Sequence, residues 1–130
     1  MTDHDLHVLP EAECYLLLHS RTLGRVGIHL DDQLTILPVY YAVMGHDVIF
    51  RTAPGTKLDV AVLRAAAVFE VDNASPGWSV FIRGRAEEVG GDDLVHAETL
   101  LGHDWPAGER DHCVRIVTEK ISGRRLPAGA

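Results

Sequence analysis

The stretch Arg51-Thr52-Ala53-Pro54-Gly55-Thr56-Lys57-Leu58 decides how the chain is read. It follows Asp47-Val48-Ile49-Phe50, an apolar run with strand character. It leads into Leu58-Asp59-Val60-Ala61-Val62-Leu63, which reads as a helix. A strand, a Pro-Gly turn and a helix start thus gather Arg51, Thr52, Thr56 and Lys57. The first N–H groups of a helix have no partner inside it, and the helix dipole favours an anion beside them. Thr56 can be the N-cap, while Lys57 puts a cation into a first turn that otherwise disfavours one. A bound phosphate answers both features, and so does plain solvation of a surface turn.

Working outward, Gly24 to Leu30 alternates as a first strand and Leu34 to Met44 as a second. Pro38 lacks an N–H and marks a strand edge or a bulge. Gly45-His46-Asp47 is a hairpin turn before the third strand, Val48 to Thr52, so three strands form a meander. Ala65 to Asp72 reads as the fourth strand, Asn73 to Gly77 as a loop and Trp78 to Val89 as the fifth strand. One face of the fifth strand carries Trp78, Val80, Ile82, Gly84 and Ala86. A helix follows Gly90-Gly91-Asp92-Asp93 to about Leu101, and Asp111 to Ile121 is the sixth strand, leaving Ser122 to Pro127 as a tail. A further helix opens at Leu9-Pro10 and ends at Leu23-Gly24, with Gly24 as its left-handed stop. Strands joined by hairpins, with few helices between, imply a mainly β, six-stranded antiparallel sheet curled into a small Greek-key barrel with flanking helices.

The totals fit one domain over residues 1–130, with 1–8 as a loose arm: 130 residues, 46% of them hydrophobic, can bury a real core. Twelve Lys+Arg against 19 Asp+Glu give a net charge of -7, which argues against nucleic acid or an anionic membrane as the main partner. No apolar run approaches membrane-span length and no leader pattern opens the chain, so a cytoplasmic protein is expected. Cys14 and Cys113 are isolated, and the scattered histidines form no metal-ligand spacing. There is no Ser/His/Asp arrangement and no dinucleotide-binding glycine motif.

Several stretches together resemble one family. Glu13 to Leu17 before Leu23-Gly24-Arg25-Val26, Leu37-Pro38-Val39-Tyr40-Tyr41, and Phe50 to Lys57 do so in order. Phe69-Glu70-Val71-Asp72, Gly77 to Val80, Arg83 to Ala86, Trp105-Pro106 and Ile121 to Arg125 continue the series. This series is similar to the small flavin-binding split-barrel proteins of the pyridoxamine 5′-phosphate oxidase-like family.

The resemblance implies a split barrel that dimerises, with two FMN molecules in clefts at the interface. It implies Arg51, Thr52, Thr56 and Lys57 at the ribityl phosphate, and Pro38, Val39, Tyr40 and Tyr41 along the isoalloxazine ring. Tyr40 and Tyr41 point to opposite faces of their strand, so at most one side chain meets the ring. Trp78 and Ser79 approach from the fifth strand, from the same chain or its partner; Trp78 serves equally as core. Trp105 and Arg124 reach the open face, where a small-molecule substrate would sit. No general base is needed, because a flavin carries the chemistry. The implied activity is an FMN-dependent oxidoreductase moving electrons from NAD(P)H or a similar donor to a small-molecule acceptor. A flavin-binding sensor module without turnover, and the same fold around a deazaflavin coenzyme or haem, stay open beside it.

Overall fold

The computed structural model describes residues 7–30, 32–52, 65–102 and 112–127, with the side chain of Leu30 excepted. Its elements are α1 (Glu11–His19), β1 (Leu23–Leu30), β2 (Gln33–Met44), β3 (Asp47–Thr52), β4 (Ala66–Ala74), β5 (Gly77–Glu88), α2 (Asp92–Leu101) and β6 (His112–Arg125). Every strand pair is antiparallel, and the sheet closes in the order β1-β2-β3-β6-β5-β4. The run β4-β1-β2-β3 is a Greek key: three hairpin-connected strands, with the next strand returning beside the first.

Alternation in the sequence decides what each strand buries. Trp78, Val80, Ile82 and Ala86 of β5 all face the barrel interior, with Val26, Phe50, Phe69, Val71 and Ile116 from the other strands. Leu9, Cys14 and Leu18 bring α1 over one mouth of the barrel and extend this core. Tyr15 of α1 stacks on His46, in the β2–β3 turn, with ring centroids 4.5 Å apart. A second, smaller core lies outside the barrel. There α2 packs Ala97, Leu94 and Leu101 against Met44, Ile49 and Cys113.

The closure is partial. β1 meets β4 only from Arg25 to Gly27, and β2 meets β3 only from Tyr41 to Met44. Residues 33–40 of β2 therefore pair with β1 alone among the described residues. The Tyr41 N–H donates to Thr22 O, so by alternation the backbone groups of Tyr40 and Pro38 point the other way, to the unpaired edge. Pro38's missing N–H falls where it breaks no ladder bond.

Three boundaries differ from the sequence reading. α1 stops at His19, where Ser20 turns its N–H and hydroxyl onto Leu17 O. Gly24 is not its stop but part of β1, where a Cβ would come within 2.2 Å of the Phe69 ring. The expected loop at Asn73–Gly77 shrinks to a hairpin end, since Ala74 already pairs with Gly77. β6 does not end at Ile121: Ser122, Gly123, Arg124 and Arg125 pair with Phe81, Val80, Ser79 and Trp78. The helix expected to begin near Thr56 lies outside the described residues.

Candidate functional site

The sequence-derived site residues fall into two groups. The first gathers where β3 ends. Tyr41 pairs with Phe50, so Tyr40 and Arg51, one step further along neighbouring strands, both face outward. Tyr40 is 69% exposed. Pro38 is exposed two residues before it, and Val39 turns into the core. Arg51 is half-buried, and its Nη2 donates to Gly102 O at 3.2 Å. Gly102 ends α2, so the guanidinium sits at the negative end of that helix's dipole. Burial pushes the thiol of Cys113, Arg51's cross-strand neighbour, up to about 11 against the opposing pull of that guanidinium.

Two residues of this group serve the barrel. Tyr41 is inside it; its Oη donates to Leu18 O at 2.6 Å and its ring meets Phe69 edge-on. Burial holds its phenol well above the ordinary range. Of the two tyrosines, Tyr40 is therefore the one that presents a ring to the surface. Thr52 is buried, and its hydroxyl donates to His112 O at 3.4 Å, bracing β3 against β6. Thr56, Lys57 and Trp105 lie outside the described residues.

The second group lies at the far end of β6. Ser79 pairs with Arg124, and both face outward. Trp78 does not line a surface: it is 4% exposed, inside the barrel, and belongs to the core. Arg51 sits opposite Cys113, whereas Ser79 sits opposite Arg124, eleven positions later on β6. That is about 35 Å of strand. Around the other side of the barrel the route is shorter: Pro38 pairs with Arg25, and Arg25 reaches Asp72, the cross-strand partner of Ser79.

Between them, on the outer face, Arg25 of β1 bonds Glu70 of β4 at 3.1 Å and reaches Asp72 at 3.5 Å. The Glu70 carboxyl nonetheless stands up at about 7, because burial first and Asp72 second outweigh the pull of Arg25.

Sequence reasoning missed one pair at the Arg51 end. His112 Nδ1 lies 2.6 Å from Glu88 Oε1, and Thr52 bonds the His112 carbonyl. The pair depends on the β5–β6 register, and a bulge beside Gly84 shifts that register. No local motif announces it.

The matches to known proteins agree with this fold. The family model described as pyridoxamine 5′-phosphate oxidase matches residues 10–125. An uncharacterized protein of Mycobacterium tuberculosis is 41% identical over 90 residues, 67% of this chain and 82% of its own length. The structure of an FAD binding protein from Mycobacterium smegmatis is similar at 38% identity and a TM-score of 0.86, covering 94% of this chain and 99% of that one. An FAD-binding protein from Mesorhizobium loti is similar at 26% identity and a TM-score of 0.73, covering 90% and 93%.

Proposed function

The chain belongs to the pyridoxamine 5′-phosphate oxidase family, and from that premise we propose that it is a flavin-dependent oxidoreductase. It takes electrons from NAD(P)H or a similar donor and passes them to a small-molecule acceptor. It works as a homodimer with a flavin at each of two interface clefts. When bound, the flavin supplies the two-electron chemistry; this chain supplies position and charge.

The carrying observation is the outward pairing of Arg51 with the unpaired edge of β2. Tyr40 and Pro38 give a flat, partly apolar wall, and the Tyr40 backbone groups on that edge suit the polar rim of a ring system. Arg51 offers a planar fork to a phosphate. In this reading Thr56 and Lys57 complete the phosphate contacts, while Thr52 braces Arg51 from behind. On the same reading Ser79 and Arg124, paired across β5 and β6, serve the cleft of a second copy.

FMN is the flavin favoured by the sequence reading, and the two FAD-binding relatives favour FAD. Both share the ring and the first phosphate, so the Arg51 site suits either. Titrating flavin-free protein with FMN and with FAD, read by flavin fluorescence, decides between them. A colourless protein that ignores both overturns the proposal. NAD(P)H consumption in the presence of an acceptor is expected; tight flavin binding without it makes the protein a flavin-holding module.

A further inference from the structure

Two arginines hold α2 by its ends. Arg51 of β3 takes the last turn, with Nη2 donating to Gly102 O at 3.2 Å. Arg115 of β6 takes the first turn, with Nη2 donating to Asp93 Oδ2 at 3.3 Å. Both project on one face of neighbouring strands: Arg51 pairs with Cys113, and Arg115, two residues on, pairs with Ile49. Asp93 and Gly102 are nine residues apart, about 14 Å of helix. The contacts between the two ends are apolar, with Leu94, Ala97 and Leu101 lying on Met44, Ile49 and Cys113. Apolar burial is non-directional and resists separation more than sliding. The polar contacts at the two ends therefore fix where the helix stands along its axis.

Arg115 is tied on its other side as well. It lies 3.7 Å from Asp47 Oδ2 and 3.8 Å from Glu87 Oε1, and its Nε is sealed from solvent. Asp47 is itself fixed: its Oδ1 accepts from the Thr118 N–H at 3.0 Å, and the Thr118 hydroxyl donates to His46 O at 2.7 Å. These contacts hold the β2–β3 turn, whose register sets Tyr41 against Phe50 and so Tyr40 near Arg51. One mostly buried cation thus joins the turn that sets the Tyr40 wall to the helix whose end binds Arg51.

We propose that Arg115 is a positioning residue for the flavin site: through Asp93 and α2 it holds Gly102 O where that carbonyl aims the Arg51 guanidinium at the cofactor phosphate. The inference rests on the role given to Arg51 in the proposed function and goes one layer behind it.

Fluorescence titration of the full chain with FMN and with FAD tests it, with circular dichroism to verify folding. Asp93→Asn is the informative change, because its side chain is exposed and the charge it removes is negative. A bare field effect would tighten binding of an anionic cofactor, whereas lost positioning weakens it, here by roughly threefold to tenfold. Asp92→Asn takes the same charge from the same turn, and Glu87→Gln takes one from beside Arg115 on β5. Both are expected within about twofold of wild type, as exposed charges are. Arg115→Gln should weaken binding at least as much as Asp93→Asn, and should lose most of that effect in an Arg51→Ala background, where nothing is left to aim. Affinity in Asp93→Asn equal to or tighter than wild type overturns the inference, and so does an Arg115→Gln effect undiminished beside Arg51→Ala. Should Arg115→Gln misfold, Asp93→Asn decides alone. A wild-type protein that binds neither flavin overturns the proposed function itself, and undiminished affinity in Arg51→Ala overturns the place given to Arg51. Failure confined to Arg115 and Asp93 leaves both standing and removes only the positioning role.

Discussion

At its start β6 runs between β3 and β5 under α2; at its end it runs along β5 under α1. The fastening differs. At the end, backbone groups do the work: the Leu9 N–H donates to Gly123 O, Val8 bridges to Arg124, and the Leu126 N–H donates to Gly77 O. Trp78 is sealed beneath, and Glu13 pairs with Arg125 at the rim. At the start, the Val89 N–H donates to Cys113 O, and side chains add further bridges: Arg51 to Gly102 O, Thr52 to His112 O, and His112 to Glu88. Backbone fastening is indifferent to what arrives from solvent. A half-buried guanidinium on a carbonyl can add an anion to its contacts at little expense. In the proposed function, the end bridged by side chains is the one that answers a ligand, and the other end sets the frame.

Substitutions at each end can break or sharpen that contrast. The largest effect is expected from Leu18→Ala, which empties a fully buried position under α1. Urea denaturation should show a loss of about 2–5 kcal/mol, with unchanged flavin affinity in the folded fraction. A loss of affinity without a loss of stability would reverse the roles of the two ends. Lys57→Ala should weaken flavin binding by about 1.5–3 kcal/mol, the value of a hydrogen bond to a charged group. Titration calorimetry measures this, and the melting temperature without flavin should hold. Arg51→Ala is expected to do both things at once: a loss of affinity, and about 1 kcal/mol of stability from the orphaned Gly102 carbonyl.

Glu70, between the two ends, gives a pH signature. Its folded-state value, about 7, lies above the ordinary 4.5, so the folded chain holds this proton more tightly than the unfolded one. Its stabilising contribution is complete below about 4.5 and is lost as pH rises through about 7. Melting temperatures of wild type should therefore fall across that window relative to Glu70→Gln; parallel curves would remove Glu70 as the cause. The smallest effect is expected from Arg124→Ala. Its side chain is exposed, so stability should move by less than about 0.5 kcal/mol. The KM for the acceptor should rise while flavin affinity stays put.

The fold was largely legible because alternation and turns are local. Trp78, Val80, Ile82 and Ala86 announced the inner face of β5, and Gly45 announced the β2–β3 hairpin. The misplaced boundaries were those decided by distant partners. Gly24 looks like a helix stop until Phe69 is seen lying against it, and Ser122 to Arg125 look like a tail until β5 offers them a ladder. The site was half legible for the same reason. Residue types marked Arg51 and the resemblance added the two tyrosines, but inside and outside positions separated Tyr40 from Tyr41 and sent Trp78 to the core. The His112–Glu88 pair depends on register and had no signal to give.

The edge of β2 that has no second strand beside it among the described residues has one more consequence. A row of unpaired strand groups is a template on which foreign chains can lay themselves down and seed fibrils. Pro38 interrupts the row of donors in its middle, so an incoming strand would find no hydrogen there to accept. Pro38 thus guards this edge against strand addition.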